Sequence, residues 1–336
     1  MRRSLAFLAC LVLFASLAAG ETLQVALVLG LGGVGDRAFN DLALEGTQRA
    51  VKEGIVAELT YIVPKSADEY PDVISEFAAS GKYSLIVCNG FESVPALREV
   101  APQFPEQRFV LIDAEVNLPN VASVRFNDWE LGFLGGVVAG LLTRTGKIGF
   151  LGGMEIPVIK EHLAAYIRGA RWANPEIGEG DVLVAFVGSW RDPDRAAELA
   201  GEMYAAGADI VYAAAGKSNL GLFAAAQRAG GRVIGEDVDQ AWTLPQYADV
   251  IVASFLKRVD LAVYREIVKA AQGAWAPGTV RYGMSADTRL GTGMAIGTHD
   301  IPPYIKASRS EAEVPLEAVF KVVEAIFKIL NGEISQ

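Results

Sequence analysis

Cysteine and histidine are the scarcest reactive residues in this chain. Two cysteines, Cys10 and Cys88, and two histidines, His162 and His299, are scattered over 336 residues. No Cys/His cluster with metal-ligand spacing occurs, which argues against a zinc site. Cys10 falls within an N-terminal leader, so the mature chain keeps one cysteine and no internal disulfide can form. Cys88 lies in "SLIVCNG", a buried-strand pattern, and reads as a small core hydrophobe. Basic residues are also in deficit: 30 Lys and Arg stand against 40 Asp and Glu, a net charge of −10. Arg2 and Arg3 leave with the leader, so 28 basic residues and a net −12 remain. There is no basic stripe, which argues against a nucleic-acid partner. Low-complexity segments and long linkers are lacking too. Beyond the leader, no apolar run is long enough to cross a bilayer.

The leader itself, "MRRSLAFLACLVLFASLAAG", has two arginines, an apolar run and a small-residue end. That layout predicts a secretory signal peptide over residues 1–20, cut after Gly20. Cys10 sits too early in the apolar run to be a lipidation site, and no cysteine lies near the cut. A soluble periplasmic protein without a lipid anchor is therefore expected. More than 300 mature residues make two lobes the expected organisation.

Continuous apolar, β-branched runs recur along the chain. They are "LQVALVL" (23–29), "LTYIV" (59–63), "SLIVC" (84–88), "RFVLID" (108–113), "VASVRF" (121–126), "KIGFL" (147–151), "VLVAFV" (182–187), "DIVYAA" (209–214), "RVIG" (232–235) and "VIVASF" (250–255). Unbroken runs suit parallel strands covered on both faces. Amphipathic helical stretches separate them, which predicts an α/β fold of doubly wound, Rossmann-like sheets. The series is interrupted near Arg125–Leu131 and restarts at Lys147, so two α/β lobes in tandem are the economical reading.

"GLGGVG" at 30–35 follows the first strand and fits G-x-G-x-x-G. A dinucleotide site makes two further demands. An acid should end the second strand, which here ends "IVPKS", and a helix should begin at the third glycine, which here is followed by "DRAFN". Both are missing, so no bound cofactor is expected. The alternative is a loop at the strand edge where open α/β sheets bind ligands. Phe39 and Asn40 then start the first helix at that edge. They suit a flat heterocycle, the ring stacking and the amide bonding its rim. They can equally be a Phe packed under the loop and an Asn in the first helical turn. Other polar or special residues fall at equivalent strand ends: Asn89, Asp113, Trp190, Gly216, Asp237, Asp239 and Lys257. Carboxylates there can accept sugar hydroxyls, and Lys257 can bond or balance them. Asp239 also reads as a helix N-cap.

Seven motifs together resemble the basic membrane protein family of ABC-transporter substrate-binding proteins, purine nucleoside receptor type. They are "GGVGDRAFN" (32–40), "FVLIDAEVNLPNVAS" (109–123), "GKIGFLGGMEIPVI" (146–159), "VGSWRDP" (187–193), "GADIVYAAAG" (207–216), "VIGEDVDQ" (233–240) and "SFLKRVD" (254–260). The similarity runs from about Gln24 to Gly332. It implies a type I periplasmic-binding-protein fold with a ligand cleft and three crossings between lobes. One lobe would be 22–125 plus 255–290, the other 126–254 plus 291–336. It implies a non-catalytic monomer that delivers a nucleoside to an ABC permease in the inner membrane. Phe39 and Trp190 would sandwich the base and Asn40 would read its edge. Asp113, Asp237 and Lys257 would hold the ribose, with Gly216 lending backbone. Two positions depart from the family pattern. Gly30 stands where the family usually has an acid, in a pattern like T-D-x-G-G, and Trp190 is larger than the expected phenylalanine. Both departures suit another flat ring, so riboflavin or a related flavin-like ligand is the alternative. A secreted nucleoside-processing enzyme is the third reading. The acids lie on separate strand ends with a lysine among them and no aspartate cluster, which counts against it.

Overall fold

A computed structural model describes residues 22–284, 292–296 and 305–336. The leader at 1–20, the boundary expected at 290/291 and His299 lie outside the described residues. Two mostly parallel sheets form. The first contains β1 (Leu23–Val28), β2 (Val56–Ile62), β3 (Leu85–Asn89), β4 (Phe109–Ile112), β5 (Val121–Phe126) and β11 (Gly278–Tyr282). The second contains β6 (Ile148–Gly152), β7 (Val182–Phe186), β8 (Ile210–Ala214), β9 (Arg232–Gly235), β10 (Ile251–Lys257), β12 (Thr292–Ile296) and β13 (Ile305–Lys306). Their orders are β11-β5-β4-β3-β1-β2 and β13-β12-β10-β9-β8-β6-β7. Leaving out β11 to β13, the two sheets repeat one winding, and each reverses direction beside its first strand. The central strands β3, β4, β6 and β8 are buried throughout, as unbroken apolar runs require. The edge strands β2 and β7 are partly exposed.

The longer helices are α1 (Phe39–Lys52), α2 (Tyr70–Ala79), α3 (Ser93–Val100), α4 (Asp128–Leu142) and α5 (Pro157–Ala173) in the first half. After them come α6 (Pro193–Ala205), α7 (Asn219–Ala229), the single turn α8 (Gln240–Thr243), α9 (Val259–Ala271) and α10 (Leu316–Leu330). α9 packs on α1 and the core of the first sheet. The chain therefore passes between lobes three times: from β5 to α4, from β10 to α9, and between β11 and β12. Glu130, buried in the first turn of α4, ties two of these crossings together. Its carboxylate accepts from Asn127 Nδ2 (2.7 Å), the Met284 N–H (2.8 Å) and Thr292 Oγ1 (2.5 Å).

α4 is apolar nearly all round because it is buried nearly all round. Gly132, Gly136 and Gly140 recur every fourth residue and face α5. A Cβ on Gly136 would overlap the Tyr166 carbonyl, and one on Gly169 would overlap the Phe133 carbonyl. The helices thus touch backbone to backbone. Gly136→Ala is expected to destabilise by about 2 kcal/mol in urea denaturation, overpacking outweighing a helix-propensity gain of about 1 kcal/mol. Gly201→Ala is the control. It lies on the exposed side of α6, where an added Cβ meets nothing, and should leave stability equal or slightly higher.

Candidate ligand cleft

The switch points of the two sheets, between β1 and β3 and between β6 and β8, face one another across a cleft. It encloses roughly 650 Å³, part of it open to solvent. Phe39, Asn40, Asp113, Trp190, Gly216, Asp237 and Lys257 all line it. Asn89 is fully buried one layer behind, donating from Nδ2 to Asn40 Oδ1 at 3.2 Å.

The glycine loop turns its donors inward. The Gly30 N–H goes to Asn40 Oδ1 (2.8 Å), that of Gly33 to the Gly30 carbonyl (3.0 Å) and that of Gly35 to Asp41 Oδ1 (2.7 Å). These three donors are committed within the protein and are not available to a phosphate. Gly33 and Gly35 adopt positive φ of 68° and 79°. Gly30 and Gly32 are needed for closeness instead, since a Cβ on either would crowd the Asn40 amide at 3.2 and 3.0 Å.

Asp36 organises the start of α1. Its carboxylate accepts from the N–H groups of Ala38 (3.0 Å), Asn40 (2.8 Å) and Asp41 (3.1 Å), and from Asn40 Nδ2 (2.9 Å). Burial pushes its pKa up despite these donors. Asn40 therefore has its oxygen doubly engaged and one amide hydrogen to spare. Phe39 does both things the sequence left open: it packs against the core of the first lobe and it lines the cleft.

Opposite stands Trp190, on the loop after β7. Its ring lies against Gly153 and Gly216, and a Cβ on Gly153 would overlap it. Gly216 gives its N–H to Glu236 Oε1 at 2.9 Å. Its contribution to the cleft is thus a flat, side-chain-free surface at φ +57°, not a spare backbone donor.

Asp113 and Asp237 end β4 and β9 in the left-handed region, at φ +63° and +65°. Non-glycine residues pay about 1 kcal/mol or more for this, and such strain clusters where function needs it. Lys257 Nζ donates to Asp113 Oδ2 (3.0 Å) and to Asp128 Oδ1 (2.7 Å). Asp128 Oδ1 also lies 3.1 Å from His162 Nε2, and the Tyr212 hydroxyl is 3.4 Å from His162 Nδ1. Burial, then the charge of Asp128, push the Asp113 carboxyl up to about 7. Burial likewise raises Glu236 to about 7, and it raises Asp237, with help from Glu236, well above the carboxylate range. Burial also opposes the charge on Asp128, but Lys257 and His162 outweigh it and hold that carboxyl low. Lys257 stays charged because Asp113, Asp128 and Asp237 outweigh its own burial. Three raised carboxyls, able to donate when protonated and accept when ionised, thus surround one ammonium. The cleft can take up O–H and N–H groups, and it disfavours anions such as phosphate esters.

Strand-end reasoning missed Asp36, Glu92, Asp128, His162 and Glu236, and the apolar wall of Ile156, Val158 and Ile159. "GDRAFN" carried a signal for Asp36, an acid just ahead of a helix start. Asp128 sat inside the interruption noted at Arg125–Leu131. Asp239 lies away from the cleft, its carboxylate held by Ser308 Oγ and the Arg309 N–H, both at 2.9 Å.

Comparison with known proteins points the same way. The family model for PnrA-like ABC transporter substrate-binding proteins matches residues 23–288. An uncharacterized lipoprotein of Pyrococcus horikoshii is 32% identical over 277 residues, covering 79% of this chain and 67% of that protein. The ABC transporter nucleoside-binding protein BmpA of Lactococcus lactis is 32% identical over 277 residues, covering 77% of this chain and 78% of its own. The crystal structure of an ABC transporter system solute-binding protein from Aeropyrum pernix K1 superposes with a TM-score of 0.80. It is 29% identical, with 93% of this chain and 92% of that one covered. Among the described residues, no helix is long and apolar enough to cross a membrane.

Proposed function

The chain belongs to the family of PnrA-like ABC transporter substrate-binding proteins, and from that premise we propose that it captures a nucleoside, a purine nucleoside first of all, and delivers it to an ABC permease. One observation carries the reading. Asp113 and Asp237, both in strained conformations, turn carboxylates into a cleft walled by Phe39 and Trp190. Asp113 Oδ1 is buried with no hydrogen-bond partner among the described residues. A sugar's hydroxyls supply the missing donors, and the two aromatic walls accept the base. The likeness to a nucleoside-binding protein supports the same ligand class. The acidic lining favours a nucleoside over a nucleotide.

Capture would work by closure. The lobes are bridged by the Asp113–Lys257 pair and by Arg191 Nη2, which donates to the Lys65 carbonyl at 2.7 Å. Ligand enters when these bridges part and is enclosed when they reform. The work is binding without catalysis, by a monomer on the outer face of the inner membrane, released from its leader in the periplasm.

Calorimetry with inosine and hypoxanthine tests the assignment. Asp113→Ala or Asp237→Ala should weaken inosine by about 1–3 kcal/mol, roughly five- to 150-fold, and hypoxanthine far less. Equal losses for both ligands would sink the ribose assignment. A flavin-like ligand is the second reading. Gly30 places no carboxylate beside Asn40, and Trp190 offers a larger face than a phenylalanine, both of which suit a wider uncharged ring. Protein purified without denaturation should then be yellow.

A further inference from the structure

The charge cluster at the floor of the cleft has a member that does not sit at a strand end. Asp128 is the first residue of α4, fully buried, just past the first crossing between lobes. Lys257 closes β10, just before the second crossing. Their 2.7 Å contact joins the two crossings, and the 3.0 Å contact from Lys257 to Asp113 reaches the other lobe. An ammonium has three hydrogens in a tetrahedral array. With two directed at Asp128 and Asp113, the direction of the third is set. Two acceptors of the cluster, Asp113 Oδ1 and Asp128 Oδ2, are buried without a partner among the described residues, and of these two residues only Asp113 lines the cleft beside Lys257. A fixed donor next to a free acceptor matches two adjacent hydroxyls.

With Asp113 as its only partner, the ammonium would be free to swing onto both Asp113 oxygens and use up the acceptor. A second carboxylate pulling from α4 prevents that. We propose that Asp128 is the positioning residue of this cleft: by holding Lys257 from the first crossing, it keeps Asp113 Oδ1 and the third Lys257 N–H open for a ligand diol. The proposal rests on the nucleoside or flavin reading, since both ligands carry hydroxyls. His162 supports Asp128 from α5, and Tyr212 on β8 supports His162.

The charged and titratable groups around Asp113 come from several elements. They are Asp128 (α4), His162 (α5), Lys257 (β10), Arg125 (β5), and Glu236 and Asp237 after β9. After burial, the negative charge of Asp128 is the main influence holding the Asp113 carboxyl near about 7. A carboxylate must be ionised to accept from a hydroxyl at full strength, so inosine affinity should fall as pH drops through that region. Removing the charge on Asp128 lets Asp113 ionise more easily, and this limb should move to lower pH.

The test uses the full mature protein with Asp128→Asn, and Asp128→Ser in case the amide does not fold. Inosine and hypoxanthine affinities are measured from pH 5.5 to 8.5. In ligand-free protein, the Asp113 carboxyl is titrated by carbon-13 NMR. We expect inosine to weaken roughly ten- to hundredfold, hypoxanthine to change little, and the Asp113 midpoint to move down. Equal losses for the two ligands would mean a general loosening of the cleft and overturn the proposal, as would an unmoved midpoint. If the unsubstituted protein binds no hydroxyl-bearing ligand, the functional reading fails by itself. The ligand-free titration still decides whether Asp128 sets the state of Asp113.

Discussion

Lys257→Met is expected to destabilise the ligand-free protein by about 3–5 kcal/mol, the cost of leaving buried charges without their partner. Asp113 and Asp128 are 8% and 0% exposed, and Lys257 is the ammonium they share. A methionine fills the space but gives neither carboxylate a hydrogen bond. The loss should depend on pH in a definite direction. Without the ammonium, Asp128 keeps only His162 against its own burial, and Asp113 becomes a carboxyl whose folded-state pKa lies still further above its unfolded value. Such a group contributes its stability below the unfolded pKa and loses it as pH rises through the folded pKa. The variant should therefore be weakest near pH 8 and recover toward pH 5. Adding Asp128→Asn to Lys257→Met should restore part of the loss, with a coupling of about 0.5–3 kcal/mol between the two sites. Chemical denaturation of the two single variants and the double at pH 5.5 and 8 reads both effects. A pH-independent loss, or strict additivity, would mean that the ion pairs are not what Lys257 supplies.

Such a cluster is hard to see in a sequence, and the reason is geometric. Eight of the ten strands of the parallel windings were legible because they are buried almost throughout and so are written as unbroken apolar runs, while the partly exposed edge strands β2 and β7 were legible from their apolar and β-branched residues. β11, "GTVRY", is not: it is an edge strand, largely exposed, and nothing in its composition demands burial. The cleft was legible to the extent that it is built from strand ends. In a parallel sheet, a polar residue just past an apolar run must lie on one rim, so Asp113, Asp237 and Lys257 could be placed without coordinates. Asp128 and His162 come instead from helices that pass beneath the rim. Their position depends on how α4 and α5 cross, and that crossing is set by Gly136 and Gly169 meeting carbonyls across the interface. Nothing local in "FNDWELGF" marks its aspartate as the partner of a lysine 129 positions later. Roles were less legible than places. Gly216 falls in the cleft lining and Asn89 at a strand end behind it, yet Asn89 serves Asn40 and the Gly216 N–H serves Glu236.

Trp190→Ala is expected to weaken nucleoside binding by about 3 kcal/mol, roughly 150-fold, at the upper end for one aromatic platform under a base. The upper end applies because Gly153 and Gly216, which lie against the indole, have no side chains with which to replace it. The ligand-free melting temperature should hardly move, because Trp190 is only partly buried and packs at the edge of its core. Affinity lost with stability kept distinguishes a ligand platform from a core residue. Trp190→Phe restores a smaller ring and should recover most purine-nucleoside affinity. A wider flavin ring would recover less, so the two ligand readings separate on this variant. Gly153→Ala approaches the same wall from the rear. Its Cβ would overlap the indole and push it into the cleft, lowering affinity although no ligand-touching atom has been removed. If Gly153→Ala and Trp190→Ala both left nucleoside affinity unchanged, the aromatic wall would not be a binding surface. The ligand would then have to be held by the carboxylates of the floor alone.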